Sequence, residues 1–184
     1  MKLLLVFAMP EESQDVFTGY DVLHTQIGKV NAAYSLTQRI VTARPDIVVN
    51  MGTAGSRRHA GGCVINPTRF IQRDMDVSVL GVPEFQTPFS NDPIELHYGT
   101  RFDHLPDGVC GTGDNFDASD AANNYDVVDM EAYALALICQ RENIPFACLK
   151  YVSDGADGDA NADWNETLHH AAEVLKDALK GSGL

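Results

Sequence analysis

Apolar runs too short for helices alternate along this chain with segments of helical period, and that alternation constrains the fold more than any other feature. Residues 2–8 read as a buried strand, and Pro10 then opens a short helix holding Glu11 and Glu12. A strand over 22–27 turns at Gly28 into a helix over about 29–43, with Val30, Ala33, Tyr34, Ile40 and Val41 on one face. Residues 47–51 form a strand that stops at Gly52-Thr53-Ala54-Gly55. Short strands are expected over 63–65, 70–72 and 77–80, and residues 81–107, rich in Pro, Asp and Gly, read as a surface loop. A strand over 109–112 precedes Tyr125-Asp126-Val127-Val128-Asp129, which runs directly into an apolar helix over 131–142. A strand over 146–152 and an amphipathic helix over about 163–179 complete the chain. No repeat or linker divides it. The expectation is one α/β domain over 1–184, with a mixed, largely parallel central sheet flanked by helices.

Composition narrows the partners. With 184 residues and 45% of them hydrophobic, the chain can bury a substantial core. A formal net charge of −13 repels phosphate backbones and anionic lipid, which argues against nucleic acid and membrane as partners. The N-terminal apolar run is short, carries one lysine and lacks a small-residue cleavage site, so it reads as a core strand rather than a leader. Cys63, Cys110, Cys139 and Cys148 show neither metal-ligand nor redox spacing and read as reduced packing residues of a cytoplasmic protein. His169-His170 lacks a third ligand nearby and reads as a solvated pair. Neither a metal nor an organic cofactor is called for.

In sheets of this kind ligands sit beyond the carboxyl ends of the strands. Those ends carry Met9 with Glu11 and Glu12, Gly52-Thr53-Ala54-Gly55, Asp129-Met130-Glu131, and Ser153-Asp154. Each has an ordinary explanation. Asp129 caps a helix, Glu131 favours its positive end, Glu12 is a first-turn acid, and Asp154 caps a turn. Thr53 serves a tight turn, and Phe116 and Met130 are core. Several acids converging on one rim repel one another, however, and such clusters are a mark of functional sites. Lys150, inside an apolar strand, needs a carboxylate partner, for which Glu12 is the natural candidate.

Six words, in order, resemble the nucleoside phosphorylase and nucleosidase superfamily, most closely its 5′-methylthioadenosine/S-adenosylhomocysteine nucleosidases. They are Ala8-Met9-Pro10-Glu11-Glu12, Ile27-Gly28-Lys29-Val30-Asn31-Ala32-Ala33, Asn50-Met51-Gly52-Thr53-Ala54-Gly55, Gly113-Asp114-Asn115-Phe116, Val128-Asp129-Met130-Glu131-Ala132 and Val152-Ser153-Asp154-Gly155-Ala156-Asp157. The resemblance implies a nucleoside phosphorylase-like fold and cleavage of the N-glycosidic bond of a purine nucleoside by water. It implies that Glu12 activates the water, that Glu131 holds the ribose hydroxyls with Met130 packed on the sugar, and that Asp154, beside Ser153, serves purine N7. Phe116 would stack on the base. Met9 joins the substrate-binding set, with Thr53 and Lys150 near the nucleophile, where relatives often carry serine and arginine.

A small-molecule nucleoside as partner and a homodimer follow from the same resemblance. Leu80, Val82, Phe85 and Pro88 are candidates for an apolar 5′-substituent pocket. Asp117 stands where relatives usually have an apolar residue, which leaves the base identity open. Two alternatives remain at this point: phosphorolysis, with Arg57 and Arg58 as phosphate ligands, and a non-catalytic nucleoside-binding module.

Overall fold

The computed structural model describes residues 1–116, 120–154 and 164–184, with the side chains of 120, 121, 154 and 164–167 outside that description. Its strands are β1 (Leu3–Phe7), β2 (Asp21–His24), β3 (Ile47–Gly55), β4 (Val64–Gln72), β5 (Glu95–His97), β6 (Asp107–Thr112), β7 (Val127–Asp129) and β8 (Phe146–Asp154). The α-helices are α1 (Pro10–Ser13), α2 (Lys29–Thr42), α3 (Ala132–Glu142) and α4 (Trp164–Gly181).

The strands join one mixed sheet in the order β2-β1-β3-β7-β6-β4-β5, with β8 bridging β3 and β4. Pairings β1–β2, β1–β3, β3–β8, β4–β6 and β6–β7 are parallel, whereas β3–β7, β4–β5 and β4–β8 are antiparallel. Because β7 returns to β3 at Gly55↔Val128, strands β3, β7, β6, β4 and β8 close into a ring. Pro67, which has no N–H to donate, sits where the β4–β6 register shifts, as a proline inside a sheet must.

Side-chain alternation sorts the core into two layers. Leu4, Val6, Val48, Phe146 and Cys148 pack with α2 and α3, whereas Leu5, Phe7, Val49, Ala147 and Leu149 pack with α4. Helix α3 ends at Asn143, whose left-handed conformation (φ 53°) lets its N–H reach Cys139 O and Gln140 O.

Several expectations need correction. On α2 the buried residues are Ala32, Leu36 and Ile40; Val30, Tyr34 and Val41 are exposed at 77%, 67% and 77%. The strands expected over 63–65 and 70–72 are one continuous strand, β4, and 77–80 is a short 3₁₀ turn at Ser78–Leu80. Residues 81–107 contain β5, and Leu96 and Phe102 are buried there. Phe102 is anchored by its N–H to Asn66 Oδ1 and Thr100 by its N–H to Phe146 O. All four cysteines are free thiols, but Cys63 is exposed rather than packed. No helix among the described residues is long and apolar enough to cross a membrane.

Candidate active site

Where β1 ends, Met9 is extended and Pro10 starts the single turn of α1. That geometry swings Glu12 back under the turn, where Oε2 accepts the N–H groups of Ala8 (3.1 Å) and Met9 (3.3 Å). Its other oxygen, Oε1, accepts from Thr53 twice, the N–H at 2.9 Å and Oγ1 at 3.0 Å. The carboxylate is therefore fixed between the exits of β1 and β3. Gly52 makes room for it, since a Cβ there would lie 2.8 Å from Glu12 Oε1.

Glu131 comes from the β7–α3 junction and is buried, with Oε1 accepting the Gly28 N–H at 2.9 Å. Gly28 adopts φ +97°, a backbone conformation that side chains disfavour, and this aims its N–H at the carboxylate. Burial pushes the Glu131 carboxyl up, the Asp129 charge pushes it further, and Lys150 and the Gly28 N–H pull against them. The outcome is about 7, with Glu12 a smaller upward influence.

Asp129 does more than its helix-capping role. Its Oδ2 does accept the Ala132 N–H at 2.9 Å, as a cap would, but the same oxygen lies 2.8 Å from Lys150 Nζ. Oδ1 accepts the Thr112 hydroxyl at 2.6 Å and the Cys110 thiol at 3.3 Å. Burial alone would raise the Asp129 carboxyl, but the Lys150 ammonium and these hydrogen bonds outweigh it and hold it below the usual range. Burial likewise opposes the Lys150 charge, and Asp129 outweighs it and raises the ammonium above its ordinary value. The partner of Lys150 is thus Asp129, not Glu12. Strand parity is the reason: Lys150 alternates with Leu149 and Tyr151 and shares a face with Cys148 and Val152, on the α2–α3 side.

One cavity of ≈ 340 Å³ brings the strand exits together. It is lined by Met9, Glu12, Thr53, Phe116, Met130, Glu131 and Ser153, with Ala8, Ile27, Ala54, Gly55, Val128 and Asp129 completing the wall. Of the residues singled out from the sequence, Lys150 does not line it and lies behind it, fully buried. Asp154 ends β8 in register with Gly55, at the same rim, and its side chain lies outside the described part. Asp117 lies outside the described residues. Phe116 is 58% exposed at the mouth. Leu80, Val82, Phe85 and Pro88 are not part of the wall. Among the described residues no group of His, Cys, Asp and Glu could hold a metal ion.

A family model described as the phosphorylase superfamily matches residues 15–182. This chain belongs to the phosphorylase superfamily. One superfamily relative, the 5′-methylthioadenosine/S-adenosylhomocysteine nucleosidase of an Exiguobacterium species, is 31% identical over 82% of this chain and 74% of its own length. Among solved structures, Helicobacter pylori MTAN, a mutant with 5′-methylthioadenosine in the active site, superposes with TM-score 0.87 at 22% identity, covering 98% of this chain and 97% of that one. Futalosine hydrolase of the same organism superposes with TM-score 0.85 at 21% identity, covering 99% and 97%. At that identity these structures speak for the superfamily fold.

Sequence reading missed Thr112 and Cys110 as supports of Asp129, and Gly28 as the donor to Glu131. A glycine immediately before a helix was the signal for the last. Nothing local marked the other two, because they reach Asp129 across the β6–β7 pairing.

Proposed function

We propose that this chain hydrolyses the N-glycosidic bond of a purine nucleoside, releasing the free base and a free ribose. The observation that carries the reading is the pair of carboxylates, Glu12 and Glu131, delivered from separate strand exits into one cavity otherwise lined mostly by apolar groups. Breaking the bond builds positive charge on the sugar and negative charge on the departing base. Glu131, held by Gly28, stabilises the sugar cation through the ribose hydroxyls, with Met130 packed on the sugar. Glu12 takes a proton from the water whose oxygen bonds to C1′. The electrons of the broken C1′–N9 bond pass to the purine, where Asp154 supplies or shares a proton at N7 with Ser153 beside it. Phe116 covers the base and Met9 the sugar side. The chain is a nucleosidase in this reading, one domain over 1–184 acting in the cytoplasm, and Lys150 serves through Asp129 rather than by touching substrate.

Hydrolysis is favoured over phosphorolysis by the charge of the wall. The described lining contains carboxylates and no Lys or Arg, and Arg58 lies 3.7 Å from Asp126, away from the cavity. A phosphate would meet repulsion where water does not. A homodimer fits the exposed apolar side of α2, where Val30, Tyr34 and Val41 continue from Ile27 on the cavity wall.

Purified protein is incubated with a panel of purine nucleosides, 5′-methylthioadenosine and futalosine among them, with and without phosphate. Base release with free ribose at equal rates in both arms is the expected result. A requirement for phosphate sinks hydrolysis, and tight binding without any release sinks catalysis.

A further inference from the structure

The cavity's base side and sugar side are tied together by a polar cluster outside its wall. Arg73 and Asp74 follow directly after β4 and face the loop Gly113-Asp114-Asn115-Phe116. Arg73 donates to the Asn115 side chain (Nη1 to Oδ1, 2.9 Å), to the Asn115 carbonyl and to Gly111 O. Asp74 Oδ2 accepts the Asp114 N–H at 2.8 Å, and its Oδ1 pairs with Lys29 Nζ. Asp114 in turn accepts the Lys29 N–H through Oδ1 at 2.8 Å. Lys29 immediately follows Gly28, the residue whose N–H holds Glu131. Asp74 therefore touches both the loop that ends in Phe116 and the residue next to the Glu131 donor.

The centre of the cluster is partly covered, with the Lys29 and Asp74 side chains 14% and 25% exposed, and its outer member Asp114 is open at 44%. The loop also fits closely around Arg73: a Cβ at Gly113 would lie 2.9 Å from Arg73 Cζ. Phe116 itself is more than half exposed, so its ring takes little support from packing. Among the described residues, the side chains of Arg73 and Asp74 hold the loop from behind through hydrogen bonds.

We propose that Asp74, with Arg73, Asp114 and Lys29, is a positioning device that presets the distance between Phe116 and Glu131, and so the fit of a base joined to a sugar. The inference rests on the nucleosidase reading for the role of Phe116, and on the geometry alone for the clamp. A loop in place only part of the time taxes binding by that fraction, so loosening it raises KM before it slows the chemistry.

The test uses the whole chain with Asp74→Ala, Asp74→Asn and, as a remote control, Arg44→Ala, which breaks the exposed Arg44–Glu142 pair. Hydrogen exchange over residues 111–116 and steady-state kinetics on 5′-methylthioadenosine are measured for each. Asp74→Ala is expected to speed exchange in that segment and raise KM about tenfold, with kcat nearly unchanged. Asp74→Asn, which can still accept the Asp114 N–H, falls between it and the wild type, and Arg44→Ala matches the wild type. Unchanged exchange in Asp74→Ala overturns the clamp. Faster exchange with an unchanged KM overturns its link to Phe116. If the wild type releases no base from any nucleoside, the nucleosidase reading fails, and the exchange measurement still decides the clamp. Should Asp74→Ala not fold, the Asn variant carries both readouts, and wild-type behaviour in both overturns the proposal.

Discussion

Lys150 Nζ lies 2.8 Å from Asp129 Oδ2, with 2% and 1% of the two side chains open to solvent. Two opposite charges are thus sealed directly behind the carboxylate of Glu131. Each is tolerable there only because of the other. Desolvating one ion costs several kcal/mol, and the partner's field with three further hydrogen bonds to Asp129 offsets it.

We predict that Lys150→Met destabilises the fold by about 3–5 kcal/mol, because an unpaired Asp129 carboxylate is left in the core. Combining it with Asp129→Asn restores a good part of the loss. Urea unfolding of the two single variants and the double variant measures this, and a double variant no better than the worse single would refute it.

Glu131 should make stability and activity pull in opposite directions with pH. Its carboxyl is moved from an ordinary 4.5 to about 7, so the folded protein keeps a proton that the unfolded chain releases. Stability from this group is full below pH 4.5, declines as pH rises to about 7 and stays low above it. The loss is about 3 kcal/mol at most. Glu131→Gln should therefore be more stable than the wild type at pH 8, equal to it at pH 4, and nearly inactive. In the wild type, kcat/KM should climb through pH 7 as Glu131 ionises. Thermal unfolding at both pH values, with a kinetic pH profile, checks each part.

Glu12→Gln and Asp154→Asn should each lower kcat by about 10²–10⁴. For Glu12 a stability cost is added, since its oxygens accept from Ala8, Met9 and Thr53 and the new amide would face one of those donors with its own N–H groups. Single-turnover assays beside denaturation curves separate the two effects. Either variant turning over at the wild-type rate would remove that residue from the mechanism.

Gly52→Ala is expected to reduce both activity and stability, since Gly52 also holds φ +154°, a conformation that side chains disfavour. The added methyl would sit 2.8 Å from Glu12 Oε1, so the carboxylate must leave Thr53 to admit it. A loss of kcat of at least about tenfold together with a lowered melting temperature is the expected outcome. An unchanged kcat would mean that Glu12 does not act from the position it holds here.

The sequence made the strand–helix alternation and the four strand exits legible, because period and turn residues are local properties. Pairing partners are not local. Lys150 was expected on Glu12, and only the alternation of β8 against two core layers shows that it points the other way. Helix α2 offers two apolar stripes. Val30, Ala33, Tyr34, Ile40 and Val41 suggested the core face; Ile40 is indeed buried, but with Ala32 and Leu36 at four-residue intervals, whereas Val30, Tyr34 and Val41 stay exposed. The short strand β5 stayed hidden, since three residues in a Pro- and Asp-rich stretch carry no measurable period. The wall of the cavity was largely readable; the polar groups that brace it from behind were not.

The closed ring leaves this sheet with few places where a foreign chain could add itself. Its outermost strands are β2, of four residues, and β5, of three, too brief to template an extra strand. Association of this chain with a second copy would therefore run through the apolar flank of α2, and a polar residue at Val30 should weaken it where edge-blocking changes do nothing.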